Sequence, residues 1–177
     1  MALVVFLRGV NVGGHKTFRP SALAKELKRF DVVNVGAAGT FVVRKPVSHA
    51  KLRAEILRRL PFEAQLMICD ARDILRLVSS DPFPNHTLDR TITCFFSVLA
   101  AGRVASCTVP LSFPDSGRWC LKVLSRDDRF VLGQYRREMK AIGYLGQLDK
   151  VFGVPATTRS WNTILAIARI LKSANVD

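Results

Sequence analysis

The sequence predicts an α+β protein in two subdomains: an N-terminal ferredoxin-like β-α-β-β-α-β two-layer sandwich over residues 1–80, and a second antiparallel α+β lobe over residues 88–177. Three observations carry this. Through the first 69 residues, short apolar or β-branched runs alternate with helix-period stretches in the order of the ferredoxin-like unit. The stretch Asp81-Pro82-Phe83-Pro84-Asn85 then bars both helix and central strand, because two prolines lack the N–H that either would need. Beyond it, strand patterns predominate until one last amphipathic segment. A chain of 177 residues is long enough for one large domain or two subdomains of about 80 to 90 residues each.

Each element has its own signal. Leu3 to Leu7 is an unbroken apolar run, the mark of a buried strand. Pro20 suits the first position of a helix whose stripe is Leu23, Leu27 and Phe30, with Lys25, Lys28 and Arg29 outside. Val32 to Gly36 and Phe41 to Arg44 read as two short strands around the turn Gly36-Ala37-Ala38-Gly39. Ser48 caps a second helix with stripe Leu52, Ile56, Leu57 and Leu60, closed by Pro61. Gln65 to Cys69 is the fourth strand. Asp70, with Asp73 three residues on, opens a short helix to about Ser79, carboxylates being favoured at its positive end.

After the proline break, Thr91 to Leu99 reads as a strand, and Trp119–Leu124 with Phe130–Tyr135 as a hairpin around Arg126-Asp127-Asp128. Tyr144 to Phe152 reads as one helix stopped by Gly153. The last helix carries Trp161, Ile164, Leu165, Ala168 and Leu171, with Thr157 or Thr158 as its cap. Residues 100–117 fit no single period.

Composition is that of a globular chain: 49% hydrophobic, 23% charged, with a mean hydropathy of +0.17. The first apolar run is cut by Arg8 and is too short for a signal peptide or a membrane span, so a soluble cytoplasmic protein without a membrane partner is expected. Cys69, Cys94, Cys107 and Cys120 are scattered, with no C-x-x-C pair and no histidine at ligand spacing, and neither a metal nor a cofactor is expected. Against 14 Asp and Glu stand 27 Lys and Arg, a net charge of +13. Such an excess attracts polyanions, so nucleic acid is one candidate partner; solvation of helix faces by arginine is the plainer account.

Two polar motifs near the ends bear on function. Gly9 to Thr17 reads G-x-x-x-x-G-H-K-T, one residue longer than the Walker pattern, with His15 displacing Lys16 from phosphate register; nor is it G-x-G-x-x-G. What survives is a glycine loop able to turn backbone N–H groups on an anion, beside the Arg8 guanidinium. A tight turn that requires positive φ explains the same glycines. Thr157-Thr158-Arg159-Ser160-Trp161-Asn162-Thr163 is equally two-sided: capping hydroxyls and a core tryptophan explain half of it, while Arg159 and Asn162 lie off the apolar stripe. His15, His49 and His86 are isolated in sequence, and no nucleophile elbow or catalytic signature accompanies them, so any reaction stays open.

Phe6-Leu7-Arg8-Gly9-Val10-Asn11-Val12-Gly13-Gly14, the Gly39 turn, Pro82-Phe83 and Ala156 to Thr163 together resemble the bacterial "domain of unknown function 1697" family. The resemblance implies a two-subdomain α+β fold with a ferredoxin-like N-terminal half, and no activity. This chain departs from the family pattern in carrying Ala38-Gly39-Thr40 in place of Ser-Gly-Asn, and Ser160 in place of the first Asn of Arg-Asn-Trp-Asn-Thr.

The resulting expectation is a protein that binds an anionic, phosphorylated small molecule between its lobes through Arg8, Asn11, Gly13, Gly14, Arg159 and Asn162. A basic nucleic-acid-associated module is the alternative. The sequence leaves oligomeric state and ligand identity open.

Overall fold

The computed structural model describes residues 1–85 and 89–173. His86 and residue 88, where the sequence places the start of the second subdomain, lie outside the described residues. By contact, the chain forms two compact units: Met1–Ser80 together with Asn162–Asp177, and Asp81–Trp161. The break after Ser80 coincides with the proline stretch, while the C-terminal helix, placed by the sequence in the second subdomain, groups with the first unit.

The first unit contains β1 (Leu3–Arg8), α1 (Pro20–Glu26), β2 (Val32–Asn34), β3 (Thr40–Val43), α2 (His49–Leu57), β4 (Gln65–Asp70) and α3 (Ala71–Ser79). Its sheet has the order β2-β3-β1-β4, with every neighbouring pair antiparallel. Leu3, Val5 and Leu7 of β1 join Phe41 and Ile68 in a core closed by Leu23 and Leu27 of α1 and by Leu52 and Ile56 of α2. Val4, Phe6 and Val42, on alternate positions, are buried to the same degree. Burial of both faces explains why β1 is written as a continuous apolar run rather than as an alternation.

Helix α1 is shorter than its stripe: it passes into a 3-10 turn, Lys28–Phe30, that ends at Asp31 in a left-handed conformation. Ser48 caps α2 as expected, accepting from the Lys51 N–H. Asp70 holds the N-cap position of α3, but its carboxylate turns away from the helix and accepts from His49 Nε2 at 3.1 Å. On the outer surface Glu55 of α2 gathers Arg29, Arg58 and Arg59, tying the helix to the 3-10 turn.

The second unit contains β5 (Ile92–Leu99), β6 (Leu111–Phe113), β7 (Leu121–Asp127), β8 (Phe130–Arg136), α4 (Met139–Leu145), α5 (Leu148–Phe152) and β9 (Ala156–Ser160). The sheet order is β6-β7-β8-β5-β9, again antiparallel throughout. Phe95, Leu121, Val131, Leu148 and Phe152 form its core. The segment read as one helix ending at Phe152 is two, because α4 ends at Leu145 with Gly146 as its C-cap and α5 restarts at Leu148; the stop at Gly153, at φ +70°, is as expected. The ambiguous stretch 100–117 supplies the short edge strand β6. Several hairpin arginines are used internally: Arg129 Nε donates to the Leu99 carbonyl, Arg137 Nε to Thr93 Oγ1, and Arg136 lies over the Trp119 ring.

The largest correction concerns the C-terminal motif. Thr157 and Thr158 do not cap a helix; they lie in β9, paired with Val98 and Ser97 of β5, and the chain passes directly from Ser160 into α6 (Trp161–Ser173). β-Branched threonine suits a strand as well as a cap, and only the presence of β5 beside it decides between them. Along α6 the buried residues are Trp161, Ile164, Ile167, Ala168 and Leu171. Ile167 thus takes the place on the stripe that the spacing assigns to Leu165.

Candidate functional site

The glycine-rich loop leaves β1 at Arg8 and folds into a miniature hairpin. Val12 and His15 form a single bridge, His15 N–H donates to the Val12 carbonyl at 3.1 Å, and Asn11 N–H donates to the Lys16 carbonyl at 3.3 Å. Gly13 and Gly14 occupy the two central positions at φ +59° and +77°, the combination required by a two-residue hairpin turn. A side chain at either would meet no backbone. The glycines are therefore accounted for by the turn itself.

Asn11 is occupied at both ends. Its Oδ1 accepts the Phe18 N–H at 2.9 Å and its Nδ2 donates to the Ala37 carbonyl at 2.7 Å. The residue closes the loop on itself and ties it to the turn before β3. Gly39, at the end of that turn, stands so close that a Cβ would lie 2.7 Å from Val10 and 2.8 Å from Leu7, and its carbonyl accepts the Leu7 N–H. The position of the loop on the sheet is thus set by Asn11 and Gly39.

This fixed loop forms one wall of a cleft of about 410 Å³ lined by Arg8, Gly9, Lys16, Glu63, Ala64 and Gln65. Arg8 stands opposite Gln65 in the β1–β4 register, and its Nη1 donates to Gln65 Oε1 at 3.2 Å. Lys16 Nζ donates to the Glu63 carbonyl at 2.9 Å. Two cations from the loop are held across the cleft by neutral oxygens at the entrance to β4, where Glu63 is an exposed lining residue.

Of the residues expected to bind a ligand, Arg8, Asn11, Gly13 and Gly14 share this loop. Asn162 is exposed on the first turn of α6, in the first unit. Arg159 belongs to the second unit, where its half-buried guanidinium donates from Nη1 to Thr157 Oγ1 at 3.1 Å and to the Thr158 carbonyl at 2.9 Å. Burial pulls its pKa down to about 10, which leaves it charged at neutral pH. Beside it, Ser97 Oγ and Thr158 Oγ1 are hydrogen-bonded at 2.6 Å, so the threonine hydroxyl serves the β5–β9 pair. Glu63 and Gln65 escaped the sequence reading because their tie to the loop exists only through the pairing of β4 with β1.

Among the described residues no group of three His, Cys, Asp or Glu has the geometry to hold a metal ion, and no helix is long and apolar enough to cross a membrane.

A model for the family described as "Protein of unknown function (DUF1697)" matches residues 1–110, a stretch that includes the whole Arg8–Lys16 loop. The chain belongs to the DUF1697 family. The solved structure of the conserved bacterial protein SP0830 from Streptococcus pneumoniae is similar over 96% of this chain and 98% of its own, with a TM-score of 0.56 at 16% identity. At that identity the likeness concerns the α+β fold alone. Comparison with curated proteins yields no match. The DUF1697 match stops before β9, so the Arg159 motif lies outside it.

Proposed function

We propose that this DUF1697 protein binds a small anionic molecule, and that the cleft between Arg8 and Lys16 receives its acidic group. One observation carries the reading: both cations of the loop are anchored in one cleft, Arg8 on Gln65 and Lys16 on the Glu63 carbonyl. Anchoring restricts the side chains before a ligand arrives, which lowers the entropy cost of binding. The Lys16 ammonium has three donors and spends one on a carbonyl, so its charge is not cancelled by that bond. The Glu63 carboxylate repels a bare anion but accepts from a hydroxyl. A phosphorylated molecule that also carries hydroxyl donors, such as a sugar phosphate, meets both demands.

The test is a thermal-shift titration with inorganic phosphate, ribose 5-phosphate and AMP at constant ionic strength, because a ligand specific to the native state stabilises it by mass action. Ribose 5-phosphate should raise Tm most, and Arg8→Ala and Lys16→Ala should each abolish the rise. Arg159→Ala, run in parallel, reports whether the C-terminal motif takes part. No shift with any of the three, or a shift that survives both loop substitutions, defeats the reading.

The charge surplus favours a second reading, association with a polyanion. Residues 1–80 and 162–177 hold sixteen of the 27 Lys and Arg but seven of the 14 Asp and Glu. Retention on DNA that falls steeply with salt would support it, since release of condensed counterions gives that slope.

A further inference from the structure

A second cleft of the first unit lies at the other end of β1. The strand runs from Leu3 to Arg8, about 20 Å at roughly 3.3 Å per residue; Arg8 lines the cleft described above, and Ala2 lines this one. Its volume is about 530 Å³, within the range of about 300 to 1,000 Å³ typical of small-molecule sites.

The walls divide by chemistry. Arg44 and Lys45 come from the end of β3, Arg72 from the first turn of α3, and Asp31 from the left-handed residue after the 3-10 turn. Pro46, Leu75 and Leu171 supply the apolar part. The carboxylate is already matched: Arg44 Nη2 donates to Asp31 Oδ1 at 2.7 Å, and the Arg44 N–H donates to the Asp31 carbonyl at 3.1 Å. That hydrogen bond, helped by the field of Lys45, holds Asp31 below its ordinary pKa, so the pair persists through the neutral range.

With Asp31 satisfied by Arg44, the charges of Lys45 and Arg72 remain. Among the described residues the Arg72 guanidinium has no hydrogen-bond or ion-pair partner. A bare inorganic ion would use these two cations and leave the apolar wall in contact with water. A neutral apolar molecule would do the reverse.

We propose that the Lys45–Arg72 cleft is a binding site for an organic anion, an acidic phosphate or carboxylate head on an apolar body, separate from the Arg8–Lys16 cleft. The head sits between Lys45 and Arg72 over the Asp31–Arg44 pair, and the body lies against Leu75 and Leu171.

The experiment is a ¹H–¹⁵N NMR titration of the full chain with phenyl phosphate, repeated with phenylacetate, inorganic phosphate and benzyl alcohol. Expected are saturable shifts of the Lys45, Ala71 and Arg72 amides with the two aryl anions. Inorganic phosphate and benzyl alcohol should bind at least about tenfold more weakly, each lacking one half of the contact. The tighter of phenyl phosphate and phenylacetate names the head group. The double variant Lys45→Ala/Arg72→Ala alters two exposed side chains and should weaken phenyl phosphate about tenfold or more, since charge-assisted bonds contribute about 1.5–3 kcal/mol each. Arg8→Ala, which alters only the other cleft, should leave the Lys45, Ala71 and Arg72 shifts unchanged. Absence of saturable shifts, shifts confined to Gly9, Lys16 and Ala64, or equal affinity for inorganic and phenyl phosphate would each overturn the assignment.

Discussion

The Asn11 side-chain amide donates to the Ala37 carbonyl at 2.7 Å, joining the glycine loop to the turn that precedes β3. The same side chain also accepts the Phe18 N–H, so Asn11 is a clasp that shapes the loop. Asn11 sits at φ +55°, which glycine tolerates freely and alanine does not. Asn11→Gly should therefore lose only the two hydrogen bonds, destabilising by about 1–3 kcal/mol. Asn11→Ala should cost about 1 kcal/mol more. Urea unfolding of the two variants measures both quantities; equal stability of the three proteins would mean that the clasp contributes nothing.

Glycines in the second unit divide by what surrounds them. A Cβ at Gly133 of β8 would lie 2.2 Å from the Lys122 carbonyl oxygen and 2.4 Å from the Phe95 ring, whereas one at Gly143 of α4 meets nothing within 4 Å. Gly133→Ala should destabilise by about 1–3 kcal/mol or more, the cost of overpacking a filled site. Gly143→Ala should stabilise by about 0.5–1 kcal/mol by reducing the freedom of the unfolded chain. Opposite signs in thermal denaturation are the expected result.

Acid should act on the surface cluster around Glu55. The Arg59 hydrogen bond, with Arg29 and Arg58, holds the Glu55 carboxyl down to about 2 against an ordinary value of 4.5. A depressed folded-state pKa gives stabilisation that is fully present above about pH 4.5 and is lost as pH falls toward about 2. Glu55→Gln should flatten that part of the stability profile while leaving its slope near neutrality unchanged. An unaltered acid limb in the variant would show that the cluster is screened to insignificance.

Thiol chemistry should be selective. Cys69, Cys94 and Cys120 are buried and Cys107 is half-exposed; burial also pushes the Cys94 thiol up, away from the reactive thiolate. Under native conditions Ellman's reagent should label Cys107 first, with the other three following only on unfolding. Cys107→Ser should remove the fast phase, and its survival in that variant would contradict the burial pattern.

The elements of the first unit were legible because their signals are local. Pro20 and Ser48 mark helix starts through backbone geometry and a hydrogen bond three residues away, and the run Leu3–Leu7 is strand-like at any location in the chain. The two prolines of Asp81–Asn85 likewise bar helix and central strand without reference to anything distant.

The sequence by itself determined where short-range backbone preferences and apolar periods leave one choice: the α+β class and the order of strands and helices to Ser79. Tertiary structure alone decided the rest. Thr157 and Thr158 are equally suited to a cap and to a strand until β5 offers its edge; the C-terminal helix joins the first unit although the sequence separates them by the whole of the second. Arg8 and Lys16 acquire Gln65 and Glu63 as partners only when β4 pairs with β1. Those outcomes depend on contacts between residues dozens of positions apart, and such contacts leave no period, cap or turn signal in the residues that make them.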